Sequence, residues 1–179
     1  TRNLKSKICL VGEKAVGKTS LIRRYVLNMF EEQYVTTIGT RVSKKEMHVF
    51  LPERDVLVDV DMQIWDIMGE KGFRELLKEA YFHGAQGVLA VCDITRMETL
   101  TDLDEWVAAV VKVTGQIPVE FLANKADLKE QQVVSAADLE SAAKAHGAPF
   151  LFTSAKTGEN VEQAFADLAK MISARVHAP

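Results

Sequence analysis

Short apolar runs of strand length alternate along this chain with stretches of helical periodicity, and this alternation limits the fold more than any other feature. Six strand candidates follow in order: KICLVG, TRVSKKEMHVFL, DVLVDVDMQIWD, GVLAVCDI, VEFLANK and PFLFTSAK. Three of them are continuous apolar runs, which are typical of parallel strands buried on both faces. The second and third candidates, joined by LPERD, predict a hairpin. The pattern therefore indicates an α/β fold.

Apolar residues at helical spacing predict three core-facing helices. Their stripes are Leu21, Ile22, Tyr25, Val26 and Met29, then Leu103, Trp106, Val107 and Val110, then Val161, Phe165, Leu168 and Ile172. We interpret Trp106 as a packing residue because the stripe already accounts for it. A further helix is predicted between Ser135, whose capping pair with Asp138 opens it, and Gly147 near its C-terminal end.

Size and composition predict one domain, residues 1–179, because 179 residues with 47% hydrophobic composition suffice for one core. A net charge of -3 excludes a generally basic surface, so we expect no nucleic acid partner. Cys9 and Cys92 lie in apolar runs, which favours buried, reduced thiols and a cytoplasmic location. No apolar stretch is long enough to span a bilayer. Peripheral membrane association would need a lipidated tail or a partner, and we expect a monomer.

The stretch GEKAVGKTS lies between the first strand and the first helix, and it fits the phosphate-loop pattern G-x-x-x-x-G-K-[ST]. In such a loop, consecutive backbone N–H groups and a helix N-terminus surround an anion. The residues assigned to this cradle are Glu13, Lys14, Ala15, Val16, Gly17, Lys18, Thr19 and Ser20. Lys18 is expected to reach the outer phosphates, and Thr19 to bind Mg²⁺. The alternative is a glycine turn with accidental neighbours.

Two polar motifs, ANKAD and TSAK, each end a buried strand, where loops gather at the carboxyl edge of an open sheet. Asp127 offers two acceptors on one carboxylate, which match two adjacent donors on the pairing edge of guanine. Adenine has no such pair of donors. This favours GTP and GDP, although P-loop kinases and ATPases share the phosphate loop and stay an alternative.

Asn124, Lys125 and Asp127, with Ser154, Ala155 and Lys156, resemble the motifs N-K-x-D and S-A-K of the Ras superfamily of small GTPases. The resemblance extends from KICLVGEKAVGKTS through TTIGT, WDIMGE and VCDITRMETL to TSAKTGENVEQAF, and it is strongest to the Rab-like branch. It implies a three-layer P-loop NTPase fold, the Ras-like G domain. The sheet would have six strands, mostly parallel with one antiparallel edge strand, and about five helices would cover it.

The resemblance also implies a function, that of a guanine-nucleotide switch. Such a protein binds GTP and GDP with Mg²⁺, hydrolyses GTP slowly, and signals through two loops called switch I and switch II. Effectors, an activating protein and an exchange factor are implied as partners. By the same likeness, Thr37 would bind Mg²⁺ and sense the γ-phosphate, and Asp66 would hold the metal through water. Gly69 would donate its N–H to the γ-phosphate, and Tyr34 would cover the phosphates. Phe30 would contact the base, with ordinary packing as the alternative.

Glu70 occupies the switch II position at which the family has a glutamine that orients the attacking water. The resemblance assigns catalysis to Glu70 together with Lys18, Thr37 and Gly69. A carboxylate only accepts hydrogen bonds and brings negative charge towards the γ-phosphate, which argues for slow hydrolysis. The phosphate could also raise the pKa of Glu70 and make it a better proton acceptor, or a donor. No arginine precedes Thr37 to act in cis, so an activating partner is expected to supply one.

Two lysines stand at unusual positions for the family: Lys14 in the phosphate loop, where glycine or serine is common, and Lys71 directly after Glu70, where an acidic residue is usual. Either cation could neutralise Glu70. One hypothesis pairs Lys14 with Glu70 across the γ-phosphate. The other makes Lys14 a solvated charge and the protein a GTP-binding interaction scaffold with little turnover. The long hairpin between the switches predicts either a partner surface or a solvent-exposed ribbon with a tolerated insertion.

Overall fold

The computed structural model describes residues 1–30, 40–67 and 79–176. Several residues predicted to act at the site lie outside the described residues: Tyr34, Thr37, Gly69, Glu70 and Lys71. The described residues contain a six-stranded sheet in the order β2-β3-β1-β4-β5-β6. Its strands are β1 Arg2–Val11, β2 Thr40–Leu51, β3 Val56–Ile67, β4 Gly87–Asp93, β5 Val119–Asn124 and β6 Phe150–Phe152.

Only β2 runs antiparallel to its neighbour in this sheet, and every other strand pair is parallel. The α/β fold with one antiparallel edge strand is therefore confirmed. A turn of 3-10 helix at Pro52–Arg54 joins β2 to β3, and Asp55 after it has φ 50°, so the hairpin is also confirmed. β1 begins at Arg2 rather than at Lys7, because its first residues pair with β3 from Val58 onward.

Five α-helices lie in the described ranges: α1 Lys18–Leu27, α2 Met97–Thr101, α3 Leu103–Thr114, α4 Ala136–Lys144 and α5 Val161–Val176. Residues 79–82 are also helical. Ser135 and Asp138 form the predicted capping box at the start of α4. The predicted stripe was wrong at Met29, which is 53% exposed. Helix α1 has already ended at Leu27, because Asn28 adopts the left-handed conformation that caps it.

Two apolar layers cover the two faces of the sheet. Ile8 and Leu10 of β1 point into one layer with α1 and α5, in which the rings of Tyr25 and Phe165 stack with their centroids 4.1 Å apart. Cys9 points into the other layer with α3, and Trp106 is fully buried there, as predicted. The central strands β1, β4 and β5 therefore bury both faces, which explains their continuous apolar sequences.

The parallel strands bring four chain segments to one edge of the sheet. Val11, Asp93, Asn124 and Phe152 are the last residues of β1, β4, β5 and β6. The loops that follow carry the phosphate-loop pattern, Arg96, the NKAD motif and the SAK motif. None of the helices in the described ranges has the length and apolar character needed to cross a membrane.

Candidate functional site

The loop between β1 and α1 presses closely on the ends of two neighbouring strands. A Cβ atom on Gly12 would lie 2.2 Å from the carbonyl oxygen of Val91, and one on Gly17 would lie 2.2 Å from Nδ2 of Asn124. Both glycines also have positive φ, 144° and 102°. Only glycine fits this approach without displacing its neighbours. The glycine spacing of the sequence pattern is therefore explained by the packing of the loop.

Lys18 opens α1, and its side chain turns back under this loop. Its Nζ donates to the carbonyl oxygens of Gly12, at 2.8 Å, and Glu13, at 3.0 Å. Its pKa is lowered to about 8, mainly by burial; the Asp66 and Glu13 charges act against this shift, and the Arg96 charge adds to it. A buried ammonium gains most from an anionic ligand. Lys18 is thus placed to bind phosphate oxygens.

Thr19 and Asp66 meet beside Lys18, since the Oγ1 hydroxyl of Thr19 donates to Oδ2 of Asp66. Asp66 lies near the end of β3, opposite Leu10 of β1, and is 2% exposed. Hydroxyl and carboxylate oxygens are the hard ligands that Mg²⁺ prefers. The chemistry of this donor pair therefore fits Mg²⁺ at the position that the sequence predicts.

Asn124, at the end of β5, joins the phosphate loop to the guanine motif. Its Nδ2 donates to the carbonyl oxygen of Val16 at 3.0 Å, and its Oδ1 accepts from the hydroxyl of Thr153 at 3.1 Å. The residue is 1% exposed. Buried and bonded at both its nitrogen and its oxygen, this amide holds the two loops together.

Asp127 and Ser154 bring the two guanine motifs together. Oγ of Ser154 donates to Oδ1 of Asp127 at 2.7 Å and accepts from the backbone N–H of Thr157 at 3.1 Å. The N–H of Ala126 also bonds the carbonyl oxygen of Thr153 at 2.9 Å. Asp127 is half-buried, with its carboxylate oriented by these contacts. The structure therefore brings together NKAD and SAK, which the sequence could only align in order.

The remaining predicted residues take different positions around this edge. Lys125 has φ 68°, and its Nζ lies 2.9 Å from Oδ2 of Asp93. Ala155 is buried and Lys156 is exposed. Phe30 is partly buried and packs against the apolar layer of α1 and α5, and its contact with a base stays a prediction.

Three side chains that support the site through hydrogen bonds were missed by the sequence interpretation. Arg24 of α1 donates from Nε to the carbonyl oxygen of Ala155, at 2.7 Å, and from NH2 to that of Lys156, at 2.6 Å. NH2 of Arg96 donates to the carbonyl oxygen of Lys14 at 2.9 Å. Nε1 of Trp106 donates to Glu13 at 3.3 Å, so Trp106 supports the loop as well as the core. All three side chains bond residues that are far from them in the chain, so no local sequence pattern pointed to these contacts.

The site combines a phosphate-binding loop, a hydroxyl and a carboxylate that fit Mg²⁺, and a second carboxylate that can bind a purine. These features define a P-loop nucleotide-binding domain of the guanine-specific class. The family model for the Ras family matches residues 7–174. The chain is also 34% identical over 171 residues to Ras-related protein SEC4 of Saccharomyces cerevisiae, which covers 95% of this chain and 76% of that protein. The chain therefore belongs to the Ras family.

The family membership confirms the resemblance to the small GTPases, including its Rab-like character. The chain is a GTPase that binds GTP and GDP with Mg²⁺, and its kinds of partner are effectors, activating proteins and exchange factors. Thr19 and Asp66 are the described residues that fit the metal, and Lys18 is the described cation that fits the phosphates.

Proposed function

We propose that residues 1–179 form one G domain that acts as a slow molecular switch. The observation that carries the proposal is the hydrogen bond from Nδ2 of Asn124 to the carbonyl oxygen of Val16, at 3.0 Å. It holds the guanine motif against the phosphate loop, so one nucleotide spans both. The γ-phosphate would then order the two switch loops, and hydrolysis would release them.

The proposed roles of the described site residues are supported by their contacts, and those of Thr37, Tyr34 and Gly69 are carried over from the family resemblance. The phosphate loop from Glu13 to Ser20 supplies N–H donors, and Lys18 neutralises phosphate charge. Thr19, Thr37 and Asp66 serve Mg²⁺. Asp127 reads the guanine edge. The base site is completed by Asn124, Lys125, Ser154, Ala155 and Lys156, with Phe30 beside the base. Tyr34 and Gly69 act at the phosphates.

The guanine assignment is tested by comparing ligands and one matched pair of variants. Mass spectrometry identifies the nucleotide that co-purifies with the chain. GDP should then raise the melting temperature, whereas ADP should not, because only a ligand that binds the folded state stabilises it. Asp127→Ala should abolish the GDP effect, and Glu130→Gln, an exposed carboxylate nearby, should keep it. Equal stabilisation by ADP and GDP would remove the guanine assignment.

The rate of hydrolysis distinguishes the switch from a second candidate, a GTP-binding scaffold with little turnover. That candidate is favoured by Glu70, which stands where the family has its water-orienting glutamine. Single-turnover release of phosphate separates them: measurable release supports the switch, and none supports the scaffold. The same assay on Lys14→Gly, Glu70→Gln and the double variant tests whether Lys14 and Glu70 act as a pair, since independent residues have additive effects.

Partner binding is proposed to use the switch loops and the β2–β3 hairpin. Each strand of this hairpin has 12 residues, and its far end exposes the cross-strand neighbours Phe50 and Leu57. We place the chain in the cytoplasm as a monomer, peripheral to membranes where a lipidated tail or a partner holds it there.

A further inference from the structure

A buried carboxylate at the end of β4 lies between the phosphate loop and the guanine motif. The Asp93 side chain is 2% exposed. Its Oδ1 accepts from the backbone N–H of Thr95, at 2.8 Å, and from the Thr95 hydroxyl, at 2.7 Å. Its Oδ2 lies 2.9 Å from Nζ of Lys125 and 3.2 Å from Nε of Arg96. The Asp93 carboxylate therefore forms ion pairs with two cations from different loops.

These contacts keep Asp93 ionised. Burial acts against ionisation, but the hydrogen bonds from Thr95 and Lys125 and the charge of Lys125 outweigh it and hold the pKa of Asp93 below its ordinary value. A buried charge is tolerated only when it is paired and hydrogen-bonded in this way. Asp93 can thus hold Lys125 and Arg96 in place at any pH near neutrality.

Arg96 extends this arrangement to the phosphate loop. While its Nε faces Asp93, its NH2 donates to the carbonyl oxygen of Lys14 at 2.9 Å. The planar guanidinium holds two acceptors in fixed directions, which a lysine ammonium does not do. The carbonyl of Lys14 and the N–H of Ala15 belong to one planar peptide and point in opposite directions.

That peptide connects Arg96 to the phosphate side of the loop. The N–H groups of a phosphate loop line the side that faces the ligand. A hydrogen bond from a cation to the carbonyl polarises the peptide and strengthens its N–H as a donor. Ala15 has φ 63°, an unfavourable conformation for alanine, so this stretch of backbone needs support from its surroundings.

We propose that Asp93 and Arg96 are positioning residues that couple the phosphate loop to the guanine motif. The chain of contacts runs from Lys125 through Asp93 and Arg96 to the Lys14–Ala15 peptide, and we call it the Asp93–Arg96 bridge. It is a second connection beside the hydrogen bond between Asn124 and Val16. The inference rests on the proposed nucleotide roles of the two loops. It adds that a substitution of Arg96 affects the binding of both the phosphates and the guanine base.

The bridge is tested on the full chain with Arg96→Ala, Arg96→Lys and Arg175→Ala. Arg175 is an exposed arginine in the last turn of α5 and serves as the control. Arg96→Ala should speed dissociation of a fluorescent GDP analogue about tenfold, as expected for the loss of charge-assisted hydrogen bonds. The dissociation rate of Arg96→Lys should lie between those of the wild type and Arg96→Ala, because a single ammonium group cannot bond both acceptors. Arg175→Ala should match the wild type.

A spectroscopic readout separates positioning from a general loss of stability. In amide correlation spectra, Arg96→Ala should shift the signals of both Ala15 and Lys125, and Arg175→Ala should shift neither. Unchanged GDP dissociation, or unmoved Ala15 and Lys125 signals, would overturn the bridge even if the melting temperature falls. A wild-type chain that binds no guanine nucleotide would instead refute the proposed function. The amide signals of the nucleotide-free variants would still decide whether the bridge exists.

Discussion

Two buried carboxylates at opposite ends of the central strands have pKa values shifted in opposite directions. At the carboxyl end of β4, Asp93 is paired with two cations, and its pKa is lowered. At the amino end of the neighbouring β5, Glu120 is 0% exposed, and its oxygens have no hydrogen-bond donor among the described residues. Burial and the nearby Asp167 charge raise its pKa to about 9. The buried carboxylate Asp93 is therefore kept ionised by its cations, whereas the buried carboxyl group of Glu120 keeps its proton to a higher pH.

The two ends of the sheet also differ in which atoms pack against their glycines. At the ligand end, Gly12 faces a backbone carbonyl that belongs to β4. At the opposite end, a Cβ on Gly87 would lie 2.6 Å from Cδ1 of Ile172 and 3.1 Å from both Cγ and Cδ1 of Leu168, all of which are side-chain atoms. The backbone of β4 cannot move without disturbing the sheet, whereas the side chains of Ile172 and Leu168 can shift by a few tenths of an ångström. The ligand end should thus be the less tolerant of added atoms.

The largest expected effect comes from adding one methyl group at each end. Gly12→Ala should lower the free energy of unfolding by at least about 3 kcal/mol, because overpacking against Val91 adds to backbone strain. Gly87→Ala should cost less than about 1.5 kcal/mol. Urea unfolding followed by circular dichroism measures both. A Gly12→Ala chain that does not fold beside a folded Gly87→Ala chain agrees with this expectation, and equal losses would contradict it.

A smaller effect, with the opposite sign, is expected at Glu120. Its folded pKa of about 9 lies above its ordinary value of 4.5, so the folded state keeps a proton that the unfolded state loses in this range. Stability should therefore fall as the pH rises from about 4.5 to about 9. Glu120→Gln carries a permanent donor for Asp167, and it should raise the free energy of unfolding by about 1–3 kcal/mol at pH 8.

The pH dependence of this effect separates it from a general change in packing. The gain from Glu120→Gln should shrink towards zero near pH 4.5, where the wild-type residue is also protonated. Glu140→Gln, on an exposed position of α4, is the matched control and should leave the pH profile unchanged. A Glu120→Gln chain with the wild-type slope between pH 5 and 9 would show that Glu120 is not the source.

The fold was predictable because its signals are local. Alternating apolar runs, the LPERD turn and the Ser135 capping box each need only a few neighbouring residues, and all three were confirmed. Glu120 shows the limit of such signals. It lies inside a run that reads as buried strand, and its partner Asp167 comes from a helix that packs on the sheet only in the folded chain.

The motifs of the site could be predicted from the sequence, but the side chains that hold its loops in place could not. GEKAVGKTS, NKAD and SAK have fixed spacings because a ligand dictates them, so they can be found without a structure. The supports are single side chains that bond backbone carbonyls. A carbonyl is present at every residue, so Arg24 and Arg96 leave no pattern from which their acceptors can be deduced.

The smallest expected effect tests the ligand end at its outer rim. Arg24 bonds two successive carbonyls of the SAK loop, which also holds Asp127 through Ser154. Arg24→Ala should speed GDP dissociation about threefold, which corresponds to about 0.7 kcal/mol. Arg24→Lys should recover only part of the loss, because an ammonium lacks the two-pronged geometry of a guanidinium. Stopped-flow displacement of a fluorescent GDP analogue measures the rate. Arg24 and Arg96 are both partly buried, but Arg96 also faces the buried carboxylate of Asp93, which Arg24 does not. A rate change as large as that of Arg96→Ala would therefore show that Arg24 contributes as much as the Asp93–Arg96 bridge.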